Sequence, residues 1–163
     1  MSSEAILERF ANLNVWKKQG ERAPHKPLLV LYALGRWQCG LTDVSFREAE
    51  KDLKELLLEF GPPRKSVHPE EPFWRLQHDD VWTVHAPAGL ILKAGHNIPK
   101  ITELRSHNVK AEFSGDVRTA LANDENLLSE IAGLVLDQHL PGSLHQMILD
   151  AVGLRLNPTF PSR

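Results

Sequence analysis

Residues 27–38 read Pro-Leu-Leu-Val-Leu-Tyr-Ala-Leu-Gly-Arg-Trp-Gln. Apolar residues would occupy almost every side of a helix formed by this run, which is typical of a helix at the centre of a domain. Pro27 suits the first turn of a helix, because its ring fixes φ near the helical value. It has no backbone N–H, but an N–H in the first turn would have no partner within the helix in any case. We therefore predict a buried central helix from Pro27 to about Gln38, with the rest of the chain packed around it.

Helical spacing and capping residues predict further helices on either side of the central one. Residues 4–18 form an amphipathic pattern behind two serines that suit a helix N-terminus. Ser45 and Glu48 have the spacing of a capping box in front of a third helix, which the glycine and prolines at 61–63 would end. Turn and cap residues predict the remaining helices at about 99–108, from Ser114 onward, at 125–138, and at 144–152 behind Ser143.

One segment indicates β structure. Residues 73–77 and 81–84 are rich in aromatic and β-branched residues and flank the polar turn 78–80, which predicts a small hairpin. Their aromatic side chains alternate with polar ones, so we expect them in the core rather than on a base-stacking surface. A short strand is predicted at 90–93. The predicted fold class is mainly α (α+β), a helical domain with a small β hairpin.

Length and charge limit the possible classes of protein. The chain has 163 residues, which suits one compact domain, and it carries 19 Lys and Arg against 21 Asp and Glu. No apolar run approaches the roughly 20 residues that span a bilayer. Glu4 and Glu8 precede any basic residue, the reverse of a signal peptide, and the single Cys39 excludes an internal disulfide. We therefore expect a cytoplasmic protein with no membrane segment.

The near-neutral total hides an uneven distribution of charge along the chain. Residues 15–36 hold five Lys and Arg against one Glu, and residues 93–110 hold four against one. Residues 112–137 hold six Asp and Glu against one Arg. The two basic segments either converge on a phosphate backbone, with the N-terminus of the Pro27 helix adding its dipole, or form ordinary solvated faces. Charge alone leaves both interpretations open.

The sequence lacks the common motifs of catalysis and metal binding. Its eight histidines include no pair at the helical HxxxH spacing, and one cysteine is too few for a Cys-based zinc site. The GxSxG, GxGxxG and GxxxxGK[ST] patterns of acyl transfer and nucleotide binding are also missing. We therefore expect no catalytic residue, no metal and no cofactor, and interpret the chain as a binding domain rather than an enzyme.

Two breaks between predicted helices combine charged or polar groups with proline. Residues 61–69 place basic side chains on a stiff loop, which either grips phosphates or only connects two elements. Residues 137–145 join two helices through a proline and carry a histidine on each side of it. Taken alone, the second break is a helix–helix corner.

Three blocks of the sequence together resemble a known family. They are residues 22–36, residues 60–64 with 72–76, and residues 139–145 with 151–153. The combination resembles the sulfur-binding domain that precedes the HNH nuclease domain in type IV, McrA-like restriction endonucleases of bacterial defence, which attack phosphorothioated DNA. The resemblance implies one sulfur-binding domain over residues 1–163, the N-terminal part of a longer enzyme with a downstream HNH nuclease domain. A homodimer through that parent protein is one possible assembly, and the sequence leaves the oligomeric state open.

This resemblance implies recognition of modified double-stranded DNA in a sequence context, without cutting. Replacing one phosphate oxygen by sulfur keeps the charge but creates a large, weakly hydrated atom that accepts hydrogen bonds poorly. Moving a phosphate oxygen into an apolar pocket would therefore cost on the order of several kcal/mol of desolvation, the cost of an unpaired polar group. Moving the sulfur there would cost much less, so the pocket would reject the ordinary phosphate. Basic residues at the rim would hold the remaining charge.

The resemblance also implies a position for the sulfur pocket, around which we select the basic and polar residues expected to contact the DNA. It places the sulfur pocket at Leu140, Pro141, Ser143 and Leu144, with Leu140 where the family has an aromatic residue. Phe113 with Ser114, at another helix entrance, is the second choice. The expected contacts to base edges and phosphates are Arg22, His25, Lys26, Arg64, Lys65, Arg105, His107, Asn108, Lys110 and His139.

Two other functions fit the same sequence. A helical protein-interaction or dimerisation module would show no salt-dependent binding to DNA, because phosphate contacts must release counterions. A reader of methylated DNA would respond to 5-methylcytosine instead of sulfur. An enzyme is the least favoured class, since it would need a metal requirement that no motif indicates.

Overall fold

The computed structural model describes residues 2–15, 17–18, 21–62, 67–92, 94–95 and 97–156. Helices form at Ser3–Ala11 (α1), His25–Gln38 (α2), Phe46–Phe60 (α3), Glu70–Arg75 (α4), Ile101–Ser106 (α5), Gly115–Asn123 (α6), Leu127–His139 (α7) and His145–Val152 (α8). Strands form at Lys17–Lys18 (β1), Glu21–Arg22 (β2), Asp43–Ser45 (β3), Trp82–His85 (β4) and Lys110–Phe113 (β5). Short 3-10 turns at Leu76–Asp79 and Gly142–Leu144 precede β4 and α8. The predicted fold class, mainly α with a small β component, is confirmed.

The central helix is where the sequence predicts it, and it begins two residues earlier. Every residue of α2 from Pro27 to Gly35 is buried, and α3, α4, α7 and α8 pack around it. Gly35 allows a close approach of α8: a Cβ added there would lie 2.2 Å from the carbonyl oxygen of Val152, at the end of that helix. A glycine at this position therefore sets how near α8 can come to the core helix.

A three-stranded antiparallel sheet lies beside the helices, with β5 between β3 and β4. Val44 pairs with Ala111, and Trp82 pairs with Phe113, and all four side chains are buried. Strands β3 and β5 have no counterpart in the predicted elements. Each is only three or four residues long, so neither carries enough alternation to stand out in the sequence.

The predicted hairpin is wrong in its first strand. Residues 70–75 form α4 and residues 76–79 a 3-10 turn, so β4 alone remains of the pair, and it hydrogen-bonds to β5 instead. Acidic residues and a proline at positions 70–72 favour a helix start. The expected burial holds for Phe73 and Trp82: the Trp82 Nε1 donates to the Phe73 carbonyl at 3.0 Å, and the two rings meet edge to face. Tertiary packing thus buries both rings without pairing their backbones.

The first helix ends well before the predicted residue 18. Asn12 caps it, since its amide reaches the Glu8 and Arg9 carbonyls and its Nδ2 donates to the Glu8 carbonyl at 2.9 Å. The backbone of Asn14 then donates to Asp79 Oδ1 at 2.7 Å, which draws the chain away from the helix axis. Asparagine favours helix ends because its side chain competes for nearby backbone groups.

Other predicted ends agree with the structure in part. Ser45 caps α3, since its Oγ accepts from the Glu48 amide at 3.2 Å and donates to Glu48 Oε1 at 3.0 Å, and Gly153 ends α8 in the left-handed conformation. Ser143 does not cap α8, because it lies within the preceding 3-10 turn. Of the strand predicted at 90–93, the described residues 90–92 form one bridge, between Leu92 and Pro99, and residue 93 lies outside the described residues. None of the described helices has the length and apolar character required to cross a membrane.

Candidate nucleic-acid interface

The predicted site residues that the structure describes fall at three places. The first is the start of α2, the second is the turn from α5 into β5, and the third is the connection between α7 and α8. Arg64 and Lys65 lie outside the described residues, and for Arg22 only the backbone in β2 is described. Each place combines backbone geometry and side chains differently.

The start of α2 opens onto a cleft of about 590 Å³, which we call the α2 cleft. Its described walls include His25 and Lys26 from α2, Arg75 and Glu71 from α4, and His78. The first turn of α2 holds no acidic residue, and its cap, Pro24, makes no side-chain hydrogen bond to it. The positive end of the helix dipole therefore faces this cleft without a protein carboxylate in the helix to offset it.

Lys26 lines the α2 cleft but is tied into the fold. Its ammonium donates to Asp79 Oδ2 at 2.6 Å and to the Asn14 carbonyl at 2.9 Å. The side chains of Lys26 and Asp79 are only 12% and 3% exposed. This pair links the start of α2 to the segment after α1 and to the 3-10 turn before β4, and it neutralises the lysine charge.

The α2 cleft also contains basic residues that sequence reasoning missed as site residues. These are Arg75 and His78, in the first strand and the turn of the predicted hairpin; His68, just before α4, belongs to the basic loop 61–69 that the sequence analysis considered for phosphate contact. Arg75 is half-exposed, and its Nε is 3.8 Å from Glu71 Oε1, the distance of a loose ion pair. Placing residues 70–75 on a helix would have put Arg75 one turn from Glu71 and on the same face.

Residues 105–110, which we call the α5 turn, join α5 to β5. Asn108 adopts a left-handed φ of 44°, its amide donates to the Arg105 carbonyl, and the Val109 amide donates to the Leu104 carbonyl. This pattern is a Schellman motif, which asparagine tolerates better than most residues. The Asn108 Oδ1 atom is buried, so a paired contact with an adenine edge would require the amide to turn outward.

His107 and Lys110, two basic residues of the α5 turn, differ in their surroundings: His107 lies near a carboxylate, and Lys110 is exposed on the sheet. His107 Nε2 lies 3.6 Å from Glu103 Oε1 on the preceding turn of α5. Lys110 is exposed at the first position of β5, between Ser45 and His85 of the neighbouring strands. Lys110 is therefore accessible at a position that the sheet fixes.

The guanidinium of Arg105 is held by the carboxylate of Glu50 on α3. The Arg105 Nε lies 2.8 Å from Glu50 Oε1 and 3.0 Å from Oε2, and Nη2 donates to Oε2 as well. These hydrogen bonds are the main cause that lowers the pKa of Glu50 below its ordinary value, with the nearby charge of Lys54 adding to the effect. The carboxylate is therefore ionised at neutral pH, and the two residues form a bidentate ion pair.

Residues 140–145, which we call the α7–α8 corner, contain the predicted sulfur pocket. Leu140 is buried, Leu144 is half-buried, and Pro141 and Ser143 are exposed. The Leu144 amide donates to the Pro141 carbonyl at 3.0 Å, and His145 Nε2 lies at hydrogen-bond distance, 2.9 Å, from the Leu140 carbonyl. The corner therefore presents a proline ring and part of a leucine side chain on a turn closed by two hydrogen bonds.

Two other predicted residues lie inside the fold. His139, at the end of α7, is only 7% exposed, which argues against direct contact between its ring and DNA. Phe113, the second choice for the pocket, is 2% exposed and packs edge to face on Trp82 and Phe10. The hydroxyl of Ser114 donates to Asp116 Oδ1 at 2.8 Å. The α7–α8 corner therefore remains the better candidate for an apolar contact.

Comparison with known proteins gives a family model and several similar structures. The model described as a ScoMcrA-like DNA sulfur-binding domain matches residues 3–157. The sulfur-binding domain of ScoMcrA complexed with phosphorothioated DNA is similar with a TM-score of 0.79 and 21% identity, over 91% of this chain and 94% of that one. The sulfur-binding domain of SprMcrA complexed with phosphorothioated DNA is similar with a TM-score of 0.75 and 18% identity, over 94% of this chain and 95% of that one.

The type IV phosphorothioation-dependent restriction endonuclease ScoMcrA is similar over 90% of this chain, with a TM-score of 0.76 and 21% identity, but only over 32% of its own length. The chain thus spans about a third of that enzyme. At these identities the solved structures establish the fold. No significant match was found among curated protein sequences.

Proposed function

Because this chain belongs to the ScoMcrA-like family of DNA sulfur-binding domains, we propose that it binds phosphorothioate-modified double-stranded DNA in a sequence-dependent way. The match of the family model over residues 3–157 is the observation that carries this proposal. A DNA sulfur-binding domain is a binding module, so the family also confirms the expected class, a binding domain rather than an enzyme. The resemblance seen in the sequence is confirmed by the same match.

The α7–α8 corner is our proposed contact to the sulfur. Its support is the exposed ring of Pro141 beside the half-buried Leu144, with Leu140 behind them and Ser143 on the same turn. A phosphate oxygen pressed against this carbon surface would lose water without gaining a hydrogen bond, at a cost of about 1 to 3 kcal/mol. A sulfur atom loses less hydration there, so the corner would favour the modified linkage by rejecting the ordinary one.

The α2 cleft and the α5 turn are our proposed contacts to the charged backbone and the bases. Around the cleft, the start of α2 and His25 support a phosphate contact, and Arg22, Arg64 and Lys65 stay in the proposal on sequence grounds. At the turn, the exposure of Arg105 and Lys110 supports contacts to phosphates or base edges, with His107 and Asn108 beside them. Lys26, paired with Asp79, would stabilise the wall of the cleft rather than contact DNA. His139 is buried, so it too would stabilise the fold near the interface rather than contact DNA.

We further propose that the domain supplies target recognition within a longer cytoplasmic type IV restriction endonuclease that carries an HNH nuclease domain downstream. The similarity to ScoMcrA, of which this chain covers 32%, supports a larger parent protein. The single cysteine fits a reducing compartment. A homodimer would form through the parent protein, which light scattering of the full-length enzyme and of this domain would test.

The deciding experiment compares two duplexes of one sequence, one with a single sulfur-substituted linkage and one without, at fixed salt. Each stereoisomer of the linkage is measured separately, over a set of flanking bases. We expect tighter binding of a modified duplex, and Pro141→Ala should weaken that binding more than binding of the unmodified duplex. Pro87→Ala, at an exposed proline of another loop, is the matched control and should change neither.

Each contrary outcome identifies a different function. Equal affinity for both duplexes overturns the proposal, and a preference for 5-methylcytosine would indicate a reader of methylated DNA. Absence of any salt-dependent DNA binding would favour the protein-interaction module. A uniform loss in Pro141→Ala would place the sulfur contact away from the α7–α8 corner.

A further inference from the structure

The ion pair between Arg105 and Glu50 is built into the fold from both sides. Besides the bidentate contact, Arg47, three residues before Glu50 on α3, donates its Nε to the Arg105 carbonyl at 2.7 Å and Nη2 to the Ser106 carbonyl at 3.4 Å. These carbonyls belong to the last turn of α5, and the Arg105 carbonyl also accepts from the Asn108 amide of the Schellman motif. One face of α3 therefore fixes both the backbone and the side chain of Arg105.

The two partners differ in their access to solvent. The side chain of Glu50 is 20% exposed and that of Arg105 is 48% exposed. A guanidinium has five N–H donors, and Glu50 engages the edge formed by Nε and Nη2. The opposite edge, formed by Nη1 and the second hydrogen of Nη2, is not used by this fork. Arg105 is thus oriented by Glu50 while it keeps donors for a second acceptor.

A paired arginine acts on DNA differently from an unpaired one. Non-specific binding comes from Lys and Arg charges that replace counterions on the phosphates, with a salt slope of about 0.9 per phosphate neutralised. A guanidinium whose charge is offset by a carboxylate contributes little to this term. Its remaining donors still form hydrogen bonds, but only with acceptors at one position and one angle.

We propose that Glu50 is a positioning residue for DNA recognition: it aims the outer edge of Arg105 at the duplex and offsets its charge, so that unmodified DNA is bound less. This inference rests on the proposed function, because it assigns a regulator of selectivity to the same interface. Glu50 itself does not need to touch DNA. Both duplexes carry the same charge, so the offset lowers the charge-driven binding of each, and the oriented edge of Arg105 restores affinity only where an acceptor lies at its position.

Glu50→Gln tests the proposal, since it keeps the size of the side chain and removes its charge. We expect the affinity for the unmodified duplex to rise about three- to tenfold at moderate salt, with the salt slope steeper by about 0.9. The modified duplex gains the same attraction but loses the hydrogen bond from the oriented guanidinium, so the ratio of modified to unmodified affinity should fall. Glu50→Asp, which restores the charge, should return the slope toward that of the wild-type protein.

Two controls separate a local effect from a change in total charge. Glu55→Gln removes an exposed carboxylate from the same helix and should leave the slope and the affinity ratio nearly unchanged. In an Arg105→Gln background, Glu50→Gln should have no further effect on the slope. Thermal unfolding of each variant verifies that the fold is intact.

The inference is overturned if Glu50→Gln leaves the salt slope unchanged, if Glu55→Gln has the same effect, or if the effect persists without Arg105. In each of these cases the wild-type protein would still prefer the modified duplex, and the proposed function would stand. Loss of that preference in the wild-type protein is the separate result that removes the proposed function itself.

Discussion

The start of α2 and the end of α5 each present a cation paired with a carboxylate, but the two pairs lie in opposite environments. Lys26 and Asp79 are 12% and 3% exposed, whereas Arg105 and Glu50 are 48% and 20% exposed. Both cations lie in the basic segments of the sequence, and both were predicted to contact DNA. Burial separates them, since it decides whether a charge serves the fold or remains accessible to a ligand.

The energetic consequences of the two pairs follow from this difference. Removing one partner of a buried pair leaves an uncompensated charge away from water, which is strongly destabilising. An exposed pair contributes little to stability, because water and salt already compensate both charges. We therefore expect substitution of Lys26 or Asp79 to act on folding, and substitution of Arg105 or Glu50 to act on binding.

The largest expected effect belongs to Lys26→Met. This change leaves the Asp79 carboxylate buried without its cation and removes the hydrogen bond to the Asn14 carbonyl. The free energy of unfolding, measured with urea, should fall by about 3 to 5 kcal/mol. Lys110→Met, at an exposed lysine, is the control and should change it by less than about 0.5 kcal/mol.

Asp79→Asn in the Lys26→Met background sharpens this test. If the stability loss comes from a stranded charge, neutralising that charge should restore part of it. A loss under about 1 kcal/mol in Lys26→Met, together with weaker DNA binding, would instead show that Lys26 acts at the interface.

The sequence could not separate these two cations, because each partner lies far away along the chain. Asp79 follows Lys26 by 53 residues, and Glu50 precedes Arg105 by 55. Local spacing predicts neighbours within a helix or strand, but such pairs arise only when the elements pack. Charge counts along the chain therefore located basic segments without telling which side chains face solvent.

Local signals were sufficient where one element decides its own structure. The central helix is predicted by its continuous apolar run, the start of α3 by its capping box, and the end of α8 by Gly153. The segment 73–77 failed because five residues are too few to distinguish a period of 2 from one of 3.6. Strands β3 and β5 were missed, since pairing across more than sixty residues of sequence leaves no local trace.

Among the candidate sites, the α7–α8 corner is indicated in the sequence by a proline between two predicted helices. That Pro141 is exposed to solvent could be seen only in the structure. The role of His145 in closing that corner also required the structure, because the ring reaches back to the Leu140 carbonyl. The carboxylate that holds Arg105 has no signature in the sequence. Partners that orient a contacting residue are thus the part of a site that sequence patterns reveal least.

A second prediction concerns the α7–α8 corner, which contains no Lys or Arg. His145→Ala removes the hydrogen bond that closes the corner, at a cost of about 0.5 to 1.5 kcal/mol. The preference for the modified duplex should shrink by a comparable amount, and the salt slope should stay constant because no phosphate contact is lost. Measuring both duplexes at two salt concentrations separates these quantities.

His145→Gln, which retains a side-chain donor, should preserve more of the preference than His145→Ala. Unchanged selectivity in both variants would show that the corner does not depend on this hydrogen bond. A change in salt slope would place His145 among the phosphate contacts instead, which would make the corner resemble the α5 turn.

The smallest expected effect is the pH dependence of the exposed pair. The pKa of Glu50 is lowered mainly by the hydrogen bonds from Arg105, so its ordinary value near 4.5 applies to the unfolded chain and a lower one to the folded protein. The folded state then binds fewer protons in this range, and the contribution of the pair is fully present above pH 4.5 and lost as the pH falls through the lowered pKa. Because the pair is exposed, that contribution should be below about 1 kcal/mol.

Other carboxylates with lowered pKa values, such as Asp116 and Asp124, also lose stabilisation in acid. The difference in unfolding free energy between the wild-type protein and Glu50→Gln cancels their part. This difference should be small at pH 7 and should decrease further below pH 4.5. A difference that stays constant down to pH 3 would mean that Glu50 keeps no preference for its charged form in the folded state, and Arg105 would then be as free for phosphates as an unpaired arginine.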